Sequence, residues 1–152
     1  MNENLPPLQR YLRDVESGKI REDYAQIKTV ELLDNLHNRL VNENRERKSL
    51  LGRVHYYLGG RRMPEKGIYL WGGVGRGKTY LMDAFFESLP FENKLRVHFY
   101  RFMQRVHAGL TAHSGAKNPL ERVAAEIADE ALVLCFDEFF VSDIGDVTVG
   151  MG

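Results

Sequence analysis

Gly72-Gly73-Val74-Gly75-Arg76-Gly77-Lys78-Thr79 follows the apolar run Ile68-Tyr69-Leu70-Trp71 and precedes Tyr80-Leu81-Met82-Asp83-Ala84-Phe85-Phe86. This stretch fits the phosphate-binding P-loop pattern. Glycines let the backbone curl round a di- or triphosphate, and the amides opening the next helix point at the anion. Lys78 supplies a mobile cation and Thr79 a hydroxyl for magnesium. Gly72, Gly73, Val74, Gly75, Arg76, Gly77, Lys78, Thr79 and Tyr80 are therefore the candidate nucleotide contacts, with Arg76 given a backbone role only. Lys78 is also a candidate catalytic group. The plainer alternative is a glycine-rich turn carrying a surface lysine.

Working outward, the spacing predicts a strand over 68–71 and a helix from about Gly77 to Leu89, presenting Leu81, Phe85 and Leu89 and ended by Pro90. Leu95 to Phe102 alternates and is rich in aromatic and β-branched residues, which predicts a strand leading into a helix from Met103. Pro119 suits the first turn of a further helix with Leu120, Val123, Ala124 and Ile127 on its apolar face. Ala131 to Phe136 is a continuous apolar run, as expected of a strand buried on both sides of a parallel sheet. Strands alternating with helices imply an α/β fold with a doubly wound parallel sheet.

Upstream lies a helical arm. Leu8, Tyr11, Leu12 and Val15 predict a short helix stopped at Ser17-Gly18, and Ile27, Val30, Leu33, Leu36 and Leu40 predict a second from Asp23 to Val41. Five of the seven residues 42–48 are charged, as on a solvated helix face, and Leu50, Leu51, Val54, Tyr57 and Leu58 form another stripe closed by Gly59-Gly60. The loop chemistry of 61–67 separates a helical arm, residues 1–60, from an α/β core, residues 61–152.

The second half of the expected site is Asp137-Glu138, which emerges from the apolar strand where open α/β sheets place their ligands. With a P-loop upstream, Asp137 is the candidate magnesium ligand beside Thr79, and Glu138 the candidate catalytic base that accepts a proton from attacking water. The plainer reading is an acidic helix start. Arg101 is expected at the end of the second strand, in a structural ion pair or sensing the nucleotide, and His107 is expected to be a polar helix residue.

The totals restrict the rest. The 152 residues suit one domain, and 21 basic side chains balance 21 acidic ones, so there is no bulk field for nonspecific nucleic-acid binding. The single cysteine, Cys135, reads as core packing and favours a reducing compartment. The start lacks a signal-peptide pattern and no apolar run is long enough to span a bilayer, which predicts a cytoplasmic protein.

Gly67 to Thr79, His98 to Met103, Val106-His107 and Leu134 to Ile144, with Arg10-Tyr11, Asp23 and Gln26 near the start, resemble the ZapE cell-division ATPase family of AAA+ proteins. The resemblance covers nearly the whole chain up to about Asp146. It implies ATP and Mg2+ as cofactors, ATP hydrolysis, a cytoplasmic role on the bacterial division ring built from FtsZ, and a homo-oligomer. It also implies mitochondrial relatives concerned with inner-membrane protein quality control. The tail Val147 to Gly152 departs from the family pattern, which continues with a further strand, a sensor, an arginine finger and a helical lid. The expectation is an incomplete P-loop core that binds nucleotide weakly and hydrolyses it poorly. Competing readings are a noncatalytic nucleotide-binding interaction protein, a helicase-loader-like ATPase and a small-molecule kinase. A GTPase is disfavoured because no Asn-Lys-x-Asp guanine reader is present.

Overall fold

The computed structural model describes residues 4–58, 65–71 and 77–138. It divides into two compact units, residues 1–90 and 91–152.

The first unit is helical. α1 (Pro7–Glu16) starts on proline, whose missing N–H costs nothing in a first turn, and ends before Gly18 at φ 72°. α2 (Tyr24–Lys48) is capped by Asp23, whose Oδ1 accepts from the Ala25 amide at 2.8 Å. Arg45, Arg47 and Lys48 close α2, where cations complement the negative end of the helix dipole. Ser49 leaves helical geometry at ψ 153°, and α3 (Leu50–Tyr57) begins immediately after it. α4 (Lys78–Ser88) packs against both α1 and α2. Val30, Leu33, Leu36 and Leu40 of α2 are buried with Leu81, Ala84 and Phe85 of α4 and Tyr11 of α1. Each such side chain contributes roughly 1.5–3 kcal/mol through apolar area removed from water. His37, also buried, shares a hydrogen bond with the Ser88 carbonyl at 3.2 Å, tying α2 to the end of α4.

Three expectations for this unit change. The apolar run 68–71 is not a strand: it joins no ladder, and Tyr69 and Trp71 are exposed. Apolar composition favours a strand, but only hydrogen-bonded partners make one. Leu50, Leu51, Val54 and Leu58 of the expected stripe face solvent. On α1 the buried face is Pro7, Tyr11 and Asp14, spaced i, i+4, i+7, while Leu12 is exposed.

The second unit is a strand, two helices and a strand. β1 (Lys94–His98) and β2 (Val133–Asp137) pair in parallel, Lys94 opposite Val133 and His98 opposite Asp137. α5 (Phe99–Ala112) and α6 (Pro119–Glu130) pack on each other over Val106, Val123 and Ile127, with Phe102, Leu110 and Leu134 at the margin. The helices approach closely because Gly109 lacks a side chain: a Cβ there would lie 2.7 Å from Val123 Cγ2. Phe136 on β2 meets Phe99 and Phe102 edge-on at 5.6 and 4.8 Å.

The strand expected over 95–102 ends at His98, and Phe99 to Phe102 are already helical. Two periods overlap there: Leu95 and Val97 alternate, while Phe99, Phe102, Met103, Val106 and Leu110 recur every three or four residues, and no loop separates them. Arg101 consequently lies in the first turn of α5, exposed, rather than on a strand. The later strand begins at Val133 instead of Ala131. The architecture is α/β, with a parallel sheet of two strands among the described residues, preceded by N-terminal helices. No described helix is long and apolar enough to cross a membrane.

Candidate functional site

Of the candidate phosphate loop, residues 72–79, the structure describes Gly77 onward. Gly77 stands before α4 with φ 74° and ψ 14°, left-handed geometry that glycine adopts without steric cost. Space reinforces the requirement, since a Cβ at residue 77 would sit 2.8 Å from Gln26 Nε2. The helical ladder starts where the Leu81 amide donates to the Gly77 carbonyl at 3.0 Å. The amides of Lys78, Thr79 and Tyr80 lie ahead of it, at the positive end of the dipole, in the orientation that suits an anion. Lys78 is half-buried and Thr79 exposed in that turn. Gly72, Gly73, Val74, Gly75 and Arg76 lie outside the described residues.

Tyr80 is anchored from α1. Its hydroxyl donates to Asp14 Oδ2 at 2.9 Å, and Asp14 also accepts from Arg13 Nε and Nη2 at 3.2 and 3.0 Å and from Lys19 Nζ at 3.3 Å. Burial alone would raise the Asp14 pKa, but the hydrogen bonds from Arg13, Tyr80 and Lys19 outweigh it and hold the carboxyl below its ordinary 3.8. Burial and the Asp14 charge push the Tyr80 phenol up from 10.0 to about 12. The neighbouring connector is held by Tyr11, whose hydroxyl accepts from the Asp23 amide at 3.0 Å. Residues 20–24 and 26 line an open groove of about 600 Å³ whose other wall is Gly77 and Tyr80.

At the other candidate position, Asp137 ends β2 and forms a two-pronged ion pair with Arg96 of β1: Nε to Oδ2 at 2.7 Å and Nη2 to Oδ1 at 3.0 Å. Glu138 follows at φ 52°, left-handed geometry that costs a residue other than glycine roughly 1–2 kcal/mol. Strain of this kind collects where a side chain must be aimed. Thr79 and Asp137 are hard oxygen donors of the type magnesium takes, and each Asp137 oxygen keeps a lone pair beyond its bond to Arg96. Taken singly, each has donor chemistry that fits the ion, and no group of three or more His, Cys, Asp or Glu among the described residues could hold one. Phe139, Phe140 and Asp143 lie outside the described residues.

Of the expected site residues, the structure groups Gly77, Lys78, Thr79 and Tyr80 at the start of α4, and Asp137 with Glu138 at the end of β2. Cys135, on β2, is buried, and burial pushes its thiol up to about 11, as a core residue requires. His107 is an exposed residue of α5. Sequence reasoning missed Asp14. The available signal was a carboxylate on the stripe Pro7, Tyr11, Asp14, where an apolar residue is the usual occupant.

The model of the AFG1-like ATPase family matches residues 5–150. The chain is 44% identical to the cell division protein ZapE of Escherichia coli K12 over 151 residues, 95% of this chain and 40% of that protein. It is 30% identical to lactation elevated protein 1 homolog B of Danio rerio over 156 residues, 95% of this chain and 29% of that protein. The chain therefore spans well under half the length of these relatives. No solved structure matches it significantly.

Proposed function

Because this chain belongs to the AFG1-like ATPase family, we propose that it binds ATP and hydrolyses it with magnesium. The observation that carries this reading is the left-handed Gly77 opening a helix whose first turn bears Lys78 and Thr79. In this mechanism the backbone of residues 72–79 wraps the phosphates, and Lys78 neutralises charge on the terminal ones. Tyr80 flanks the nucleotide. Thr79 and Asp137 would hold the ion, which when bound would supply charge neutralisation to the phosphates. Glu138 accepts a proton from the water that attacks the γ-phosphorus, the phosphorus–oxygen bond to the β-phosphate breaks, and ADP and phosphate leave. Residues 1–60 act as a helical arm and residues 61–152 as the ATPase core.

Relatedness to a cell division protein supports a cytoplasmic role in division, with the ring protein FtsZ as partner and a homo-oligomer as the working form. Titration with a fluorescent ATP analogue tests the site. Lys78→Ala should abolish binding and Glu138→Gln should retain binding while losing turnover. Unchanged affinity in Lys78→Ala refutes the phosphate-site reading. Co-sedimentation with FtsZ filaments in ATP, absent with Lys78→Ala, tests the partner.

A further inference from the structure

Asp14 is a charged side chain only 2% exposed, and the hydrolytic scheme above does not use it. Its partners Arg13 and Lys19 belong to α1 and the turn after it, so the hydrogen bond from Tyr80 is the described one that crosses to another helix. That bond ends on the residue immediately after Thr79. A buried polar pair of this kind is a poor source of net stability, since apolar residues of similar volume often do as well. What an O–H···O⁻ bond provides, and an apolar contact does not, is a defined distance and direction.

The geometry of α4 gives that direction a consequence. Tyr80, Ala84 and Glu87 recur on one face of the helix at 100° per residue. Tyr80 meets Asp14 at one end, Ala84 is buried, and Glu87 accepts from Arg10 Nη1 at 2.6 Å at the other. Arg10 and Asp14 are themselves one turn apart on α1. The Arg10–Glu87 pair is partly exposed and holds the far end loosely, so beside the packing of Leu81, Ala84 and Phe85 the part-buried Asp14–Tyr80 bond is the directional constraint on the first turn. With Tyr80 turned toward α1, Thr79 and Lys78 point 100° and 160° away from it. Gln26, in the first turn of α2, lies against Gly77 as well.

We infer that Asp14 is a positioning residue of the nucleotide site, acting through Tyr80 to fix how the first turn of α4 presents its amides, Lys78 and Thr79 to phosphate. This rests on the reading of residues 72–79 as the phosphate loop. It makes the N-terminal arm part of the site's geometry, so that displacing α1 from α4 weakens phosphate binding without touching any phosphate contact.

The test uses the full chain and two probes, a fluorescent ATP analogue and inorganic tripolyphosphate, with urea curves to confirm that every variant is folded at the temperature of measurement. Asp14→Ala should weaken both probes by the same factor, about tenfold, the equivalent of one hydrogen bond to a charged group. Asp14→Asn keeps an acceptor for Tyr80 and should recover most of that loss. Tyr80→Phe should match Asp14→Ala, and the double variant should be no worse than either single one. If Asp14→Ala does not fold, Asp14→Asn and Tyr80→Phe carry the comparison. Wild-type affinity in folded Asp14→Ala or Tyr80→Phe overturns the inference, as do losses that multiply in the double variant. Those outcomes leave the phosphate site standing if Lys78→Ala still fails to bind. A wild-type chain that binds neither probe removes the phosphate site and the inference together.

Discussion

Gly77→Ala separates the two demands that the loop exit makes on its last glycine. The first is conformational: φ is 74°, and an L-residue there carries a cost of roughly 1–2 kcal/mol. The second is spatial: the added methyl would lie 2.8 Å from Gln26 Nε2 and 3.4 Å from its Cδ. The atom in the way is the end of a flexible side chain, so Gln26 can swing aside for less than the backbone term. The expected loss is therefore about 1–2 kcal/mol, dominated by φ, and corresponds to roughly 3–6 °C in melting temperature for a chain of this size. Urea midpoints of Gly77→Ala, Gln26→Ala and the double variant decide the apportionment. Removing the Gln26 side chain should rescue Gly77→Ala only in small part, because the left-handed backbone remains. Full rescue would show that the clash was the whole cost, and an unchanged midpoint in Gly77→Ala itself would refute the argument.

Three further outcomes are expected. Gly109→Ala gains helix propensity worth about 1 kcal/mol but drives a methyl to 2.7 Å from Val123 Cγ2, so overpacking of roughly 1–3 kcal/mol should win; denaturation should show destabilisation that Val123→Ala partly relieves. The Asp14 carboxyl is held below 3.8 in the folded state, so the stability it contributes is complete above that pH and disappears as pH falls through the folded value; the Tyr80 phenol, raised from 10.0 to about 12, contributes stability that is complete below pH 10 and is lost between 10 and 12. Urea midpoints against pH should therefore fall less in Asp14→Asn on the acid limb and less in Tyr80→Phe on the alkaline limb, and parallel curves would contradict the assignment. Cys135, buried with its thiol at about 11, should resist a disulfide reagent at pH 8 in native buffer and react fully in denaturant; rapid native labelling would count against it.

The candidate site is legible in the sequence as residue types at fixed spacing. A glycine run ending in Lys78-Thr79 ahead of an apolar helix, and an acidic pair at the end of an apolar strand, are local patterns. Local geometry follows from them: Gly77 is left-handed, α4 starts at Lys78, and β2 ends at Asp137. Those expectations concern residues within a few positions of one another, where chain connectivity does most of the positioning. The Arg96 partner of Asp137 was not legible, because it arrives from 41 positions away through the parallel register of β1 on β2.

By itself the sequence determined the order of the helices and of the two paired strands, the candidate phosphate loop and acidic pair, and the family frame. Tertiary structure decided the rest. It left residues 68–71 outside any ladder and turned the Leu50, Leu51, Val54 and Leu58 stripe to solvent. It also made a carboxylate on α1 the hydrogen-bond partner of Tyr80 in the first turn of α4. The physical reason is the same in each case. Periodicity states which side chains share a face, whereas burial, strand pairing and the partner of a polar group depend on what another element brings to that face, and Asp14 and Tyr80 are 66 positions apart.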